Sequence, residues 1–372
     1  MKTPFPIPYC LNVHPAADWR QVKRALDLHA LAVKKLVAPD RPFPLSLHLG
    51  YRAALELASP RRRAAFRAWL QRHDGFIAGV NAFPFGPFHA ATVKTAVYRP
   101  DWRSAERLAY TLLVARLLAD LVPEGAEATL TTVPGGWRPD WRTAADRRLA
   151  LKNLAGAAAG CRELFETTGR RIHIAVEPEP GCAWDLFDPA VEAAGPEIGW
   201  CLDACHAAVD FRPLARLPWK RIVRVQFSAA IECDNDPAAR AALAPFVERR
   251  YLHQTRAFLD GEIVGAWSDL GPALKALPRL PARAIVRTHY HVPLTWEGTG
   301  PLRSTRENLT PAFFRKARRA FCEVETYTMD VLPRALRPRT LARTIAGELA
   351  WAAARYGFSS STNRKIVSPG LA

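Results

Sequence analysis

Short apolar, β-branched or aromatic runs alternate with amphipathic helical stretches along almost the whole chain. Nine runs read as strands: Ile7–His14, Pro44–Leu49, Phe76–Phe83, Ala128–Val133, Arg171–Glu177, Ile198–Asp203, Ile222–Ser228, Ala284–His291 and Phe321–Thr328. The stretches between them carry helix-terminus signals. Thr143, with Asp146 three residues on, forms a capping box that opens a helix ending near Gly169. Ser104 and Glu106 open another, with an apolar stripe through Leu108, Leu112 and Ala115. A last helix runs from about Thr340 to Tyr356 and stops at Gly357. Strand–helix alternation predicts a parallel sheet covered by helices, and eight such units close a (β/α)8 TIM barrel. Nine candidates are one too many. Either Ala284–His291 or Phe321–Thr328 could be the eighth strand, and the pattern does not choose. The stretch Ala229–Ala282 is rich in Ala, Pro and charge and reads as a helical insertion late in the barrel. The expected α/β organisation is one barrel over residues 1–335, then a C-terminal helix and loose polar tail over 336–372.

Composition narrows the class. The chain has 372 residues, 49% of them hydrophobic and 23% charged, which fits a globular protein with a large core and excludes a disordered one. The net charge of +17 comes from 52 basic and 35 acidic residues. Arg supplies 42 of the basic residues, but they are spread along the chain, as solvated helix faces would be. A basic surface also suits nucleic acid, an anionic membrane face or an anionic substrate. Seven cysteines, odd in number and without a C-x-x-C pair, argue against a disulfide framework or a zinc ribbon. The start MKTPFPIPYC does not read as a signal peptide, because three prolines precede any apolar run. Leu108–Val122, the longest apolar stretch, is broken by Arg116 and Asp120, so no transmembrane segment is expected and residence is cytoplasmic.

In a parallel barrel the active site lies at the C-terminal ends of the strands. The runs end in chemistry-bearing residues: Asn12 and His14; Asn81, with His89 nearby; Glu177, with Glu179 just past it; Asp203 and His206; Gln226; His289 and His291; Glu323 and Glu325. Carboxylate, imidazole and amide oxygen are ligands for hard or borderline divalent cations. If the barrel closes, these side chains point at one mouth. Taken singly each residue has an ordinary structural role open to it: His206 could cap a helix, and one of Glu323 and Glu325 could bridge to an Arg. Trp184 and Trp296 lie just beyond site-bearing runs and are candidates for an apolar pocket wall.

The order of these residues resembles the xylose-isomerase-like TIM barrels, which include sugar isomerases, epimerases and the type IV apurinic endonucleases. In that group a Glu ends strand five, Asp-x-x-His follows strand six, a His ends strand seven and a Glu ends strand eight. Glu177, Asp203 with His206, Gln226 and Glu325 match in order, with Gln226 in place of the usual His. More narrowly, YCLNVHP, NAFPFGPFH, VYRPDW, TTVPGGW, EPEPGC, CLDACH and EVETYTMDVLP are similar to the EboE-type metabolite-traffic proteins, from about Tyr9 to Pro333. That likeness implies a setting in secondary-metabolite precursor handling and export, with membrane-associated pathway enzymes as partners, rather than a reaction.

The resemblance implies a divalent metal (Mn²⁺, Mg²⁺, Co²⁺ or Zn²⁺) held by Glu177, Asp203, His206, Gln226, His291 and Glu325. Glu177 and Glu325 would be the catalytic acid and base of an isomerase or epimerase acting on a polyhydroxylated or related small metabolite. Asn12, His14, Asn81, His89, His206 and His289 would bind the substrate. A zinc phosphoesterase of the endonuclease type and a non-catalytic metabolite carrier are the alternatives, and nucleic acid is the less expected partner, since the late insertion would occupy the mouth.

Overall fold

A computed structural model describes residues 3–184 and 187–357. Eight strands form a closed parallel ring. They are β1 (Tyr9–Cys10), β2 (Phe43–His48), β3 (Gly75–Asn81), β4 (Glu127–Thr132), β5 (Arg171–Val176), β6 (Ile198–Asp203), β7 (Ile222–Phe227) and, after a long excursion, β14 (Phe321–Val324). The last strand pairs with β7 from Phe321↔Arg224 to Val324↔Phe227, and with β1 at Tyr9↔Val324. Phe321–Thr328 is therefore the run that closes the barrel. The capping box at Thr143 and Asp146 forms, the helix Ala144–Thr168 ends at a left-handed Gly169, and a helix Leu341–Tyr356 packs on the outside after β14. No described helix is long and apolar enough to cross a membrane.

The late insertion is a sheet, which corrects the expectation of a helical one. Strands β8 (Ile231–Asp234), β9 (Thr255–Leu259), β10 (Glu262–Trp267), β11 (Ile285–Thr288), β12 (Gly298–Thr299) and β13 (Leu302–Ser304) form a six-stranded antiparallel sheet in the order β10-β9-β11-β8-β13-β12. The ninth strand candidate, Ala284–His291, supplies β11 at its interior. Only the short helices Pro237–Leu243 and Leu270–Ala276 match the helical reading. The local signal that composition hid is Asp260-Gly261, both at positive φ, which turns β9 into β10. An Asp-Gly pair between apolar runs is a strong hairpin mark. The polar tail expected after Gly357 lies outside the described residues.

The barrel interior holds a fully buried ion pair. Arg224 on β7 donates from Nε to Glu323 Oε1 at 2.9 Å, and from Nη1 to Val80 O, Thr129 O and Thr129 Oγ1 at 3.1–3.2 Å. Its Nη2 reaches Ser46 Oγ at 2.8 Å, so one guanidinium joins five of the eight strands. Glycine at 79 makes room for it. A Cβ there would sit 3.1 Å from Arg224 Nη1 and 3.0 Å from the Phe321 ring. Of the two glutamates on this face, Glu323 is the one that bridges to an Arg, which leaves Glu325 for the mouth.

Candidate metal centre at the barrel mouth

Three carboxylates meet where β5, β6 and β14 end. Glu177, Asp203 and Glu325 each place an oxygen within 4.8 Å of the other two, and all three are buried. Local structure fixes one side of each. Asp203 Oδ1 accepts from the His206 backbone N–H at 2.8 Å, capping the helix Ala204–Val209, and from Ser228 Oγ at 3.0 Å. Its Oδ2 is buried without a partner. Glu325 Oε1 accepts from the side-chain amides of Asn12 and Asn81, while its Oε2 is likewise unpaired. Burial pushes the Glu177 carboxyl up to about 8, with Asp203 and Glu179 adding to the shift and His206 opposing it. Burial, and the neighbouring Glu177 and Asp203, raise Glu325 in the same direction. Three carboxyl groups this close in a dry site must share protons or a cation.

Three imidazoles stand beside them. His206 Nδ1 lies 3.1 Å from Pro178 O, His291 Nδ1 2.9 Å from Glu325 O, and His289 Nδ1 2.6 Å from Gln254 Oε1. Gln254 points its oxygen there because its Nε2 donates to Glu179 Oε1 and Pro180 O. Each Nδ1 thus faces an acceptor and carries the proton, which leaves a lone pair on each Nε2. Those nitrogens converge: His289 Nε2 is 3.1 Å from both His206 Nε2 and His291 Nε2. Tyr327 Oη, 3.3 Å from His289 Nε2, brings one donor to three acceptors. A proton on His206 would satisfy one further contact, whereas a shared cation would satisfy them all. Burial and the other imidazoles hold His289 well below the usual histidine range. His291 is pushed down to about 4 by burial, against the pull of Asp203. Burial opposes the charged form of His206 as well, but Asp203, Glu179 and Glu177 outweigh it and raise its pKa.

The donor atoms form two overlapping sets. Glu177, Asp203 and Glu325 are all oxygen. Asp203, His206 and His291 form a mixed set, extended by Glu179 with His206 and His289, and by Cys205 with His289 and His291. Oxygen ligands suit Mg²⁺ or Mn²⁺, and imidazole suits Zn²⁺ or Co²⁺. Asp203 belongs to both.

The other expected site residues divide. Asn12, Asn81, His206 and His289 line the same cavity as Glu177 and Glu325. Gln226 does not turn a ligand atom to it: its oxygen accepts from Cys201 Sγ at 3.1 Å and its nitrogen donates to Glu177 and Glu323. An N–H cannot ligate a cation, so Gln226 is a bridge between the two glutamates. His14 does not line the cavity. Its ring stacks on His29 with centroids 4.2 Å apart, and Nε2 meets the Tyr9 hydroxyl. His89 sits behind the wall, bonded to Asn12 O at 2.7 Å and Tyr251 Oη at 3.0 Å. Trp184 packs among Trp102 and Trp141, and Trp296 lines a separate groove with Leu332 and Leu336. Sequence reasoning placed Glu179 at the mouth without giving it a role, and missed Gln254, Tyr251 and Tyr327 as site residues. Alternation in E-V-E-T-Y puts Tyr327 on the face of Glu323 and Glu325, a usable signal; Gln254 offered none.

The cavity spans about 510 Å³ counted to its open mouth, room for an ion and a small molecule.

These pKa shifts predict how metal and pH act together. Above about pH 7.5 His289 and His291 are neutral whether folded or unfolded and drop out of the balance. Glu177, Glu325 and His206 hold protons more tightly when folded, so their contribution to metal-free stability falls as pH rises through about 8. A bound cation replaces those protons. The rise in melting temperature on adding Mn²⁺ or Zn²⁺ is therefore expected to be larger at about pH 8.5 than at pH 6.5. Thermal scans with and without metal check this, and a stabilisation that shrinks with pH would contradict the site.

No protein-family profile matches the sequence, and no curated protein matches it. Solved structures do match, among them three barrels described as follows. The first is a D-tagatose 3-epimerase-like protein, 15% identical with a TM-score of 0.37, covering 59% of this chain and 74% of that one. The second is the IOLI protein with a binding zinc atom, 12% identical with a TM-score of 0.49, covering 94% and 99%. The third is the probable 3-DHS dehydratase AsbF, involved in petrobactin synthesis, from Bacillus anthracis: 10% identical, TM-score 0.44, covering 92% and 97%. The class of the chain, a (β/α)8 barrel, is defined by its own closed ring of eight parallel strands.

Proposed function

We propose that the chain is a metal-dependent isomerase- or epimerase-type enzyme that moves a proton on a small metabolite. The observation that carries this is the pair Glu177 and Glu325: two buried carboxyls, both raised, within 4.8 Å of each other and lining one cavity. Without a cation two such groups do not ionise together, and with one bound a carboxylate that does not ligate it is free to take and return a proton. The donor chemistry fits a divalent cation, with unpaired Asp203 Oδ2 and Glu325 Oε2 and the three converging imidazole nitrogens as its holders. When bound, the metal would polarise substrate oxygens and acidify the adjacent C–H. Asn12 and Asn81 orient Glu325, Gln226 orients Glu177, and Tyr251 and Leu252 of the insertion help exclude water.

Tyr251, Leu252 and His289 of the insertion line the same cavity as the carboxylates, which favours a small substrate over a duplex. A non-catalytic carrier would use the same cavity and is separated by turnover. In D₂O, the metal-loaded protein is expected to wash deuterium into a carbon beside the chelating oxygens of its substrate. Glu325→Gln is expected to slow that exchange by about 10²- to 10⁴-fold while retaining part of the metal. Binding without exchange in the wild type would favour the carrier. The place of such a reaction in secondary-metabolite precursor handling is carried by the motif likeness alone.

A further inference from the structure

Part of the cavity wall is different in kind. Phe83, Phe88, Val97, Leu252, Tyr251 and Tyr327 line it. Phe88, Tyr251 and Tyr327 touch one another, with ring centroids 4.9–5.0 Å apart for all three pairs, so they form one continuous aromatic surface. Most polar atoms on this side are already engaged within the protein. Tyr251 Oη pairs with His89 and Tyr98 Oη accepts from Gln254, while Tyr327 Oη borders the chelating groups, 3.3 Å from His289 Nε2. Lys94 also lines the cavity, but its Nζ donates to Glu248 O, Tyr251 O and Asp269 at 2.6–3.0 Å. These side chains therefore show a ligand their rings and methylenes. The hydrogen-bonding and chelating groups of the lining come from Glu177, Glu179, Glu325, His206 and His289, with Asn12 and Asn81, and Tyr327 is where the two kinds of surface meet.

A polyol buried here would leave the hydroxyls of its far end facing apolar carbon. A buried hydroxyl without a partner is costly, and it is this kind of mismatch that lets a site reject the wrong substrate strongly. An aromatic or branched apolar body would meet a matching surface.

We propose that the substrate carries its oxygens at one end, as a 2-hydroxy or 2-oxo carboxylate or a catechol does, and an aromatic or apolar body that packs on the Phe88–Tyr251–Tyr327 wall. The inference rests on the metal-site reading above and replaces the polyhydroxylated substrate with a two-ended one. Chelation fixes the head, and the wall selects the body.

Lactate, glycerate and mandelate share one 2-hydroxy-carboxylate head and differ in presenting a methyl, a hydroxymethyl and a phenyl group. Titrated into the Co²⁺-loaded full chain and followed by the cobalt absorption, mandelate is expected to bind about ten- to a hundredfold more tightly than glycerate. Phe88→Ala is expected to remove most of that preference while leaving lactate unchanged. Glycerate binding as well as mandelate, or a cobalt spectrum that none of the three acids shifts, would overturn the inference and leave the metal reading standing. A chain that takes up no cobalt would overturn both.

Discussion

Asp203→Asn is expected to empty the metal centre while leaving the fold in place. Asp203 alone belongs both to the all-oxygen set with Glu177 and Glu325 and to the mixed set with His206 and His291. The asparagine keeps an Oδ1 to accept from the His206 backbone and Ser228, so the helix cap survives. What disappears is the charged Oδ2 that has no other partner. The loss in metal affinity is expected to exceed the roughly 10- to 100-fold typical of residues that only hydrogen-bond a ligand. Gln254→Ala gives that smaller comparison, since Gln254 holds the His289 ring through Nδ1. Calorimetry on metal-stripped protein gives both numbers, and a melting scan shows whether the fold is kept. An Asp203→Asn variant that binds metal like wild type would remove the site as drawn.

The largest stability effect is expected deeper in the barrel. Glu323→Ala would strand the Arg224 guanidinium at a position with no solvent contact. Breaking a buried pair from one side costs about 3–5 kcal/mol, because the remaining charge stays desolvated. Replacing both partners with apolar residues of similar volume, Arg224→Met with Glu323→Leu, is expected to recover most of that loss. Some cost stays, since Val80 O and Thr129 O lose their donor. Urea unfolding midpoints at constant slope measure each change. If Glu323→Ala unfolds at the wild-type midpoint, the pair is not holding the barrel together.

Much of the barrel was legible because its signals are local. The Thr143 capping box, the Gly169 stop and strand runs ending in polar residues each depend on a few neighbouring positions. Asp203 and Glu325 could be picked out for the same reason, from CLDACH and EVETYT. What stayed hidden depends on contacts between distant segments. Phe321–Thr328 and Ala284–His291 look alike as apolar runs, and pairing with Tyr9 rather than with Cys233 is what separates them. Gln226 sits where a ligand would, yet its orientation is set by the Cys201 thiol and Glu323, partners no spacing rule reveals. His14 and His89 fell on promising strand ends, but their rings are taken up by His29 and Tyr251. The insertion misled through composition: alanine and charge suggested helix, while the Asp260-Gly261 turn made a sheet.

The same topology sets an order of assembly. β14 closes the ring by pairing with β1, nearly the whole described chain away, and Glu325 follows immediately after it. His289 and His291 arrive from a sheet that forms its own hydrogen bonds without the barrel. The full donor set, oxygen and imidazole together, therefore exists only once both are finished, and contacts between such distant segments form slowly. Metal uptake should then lag secondary-structure formation during refolding, so that loading reports completed folding rather than guiding it.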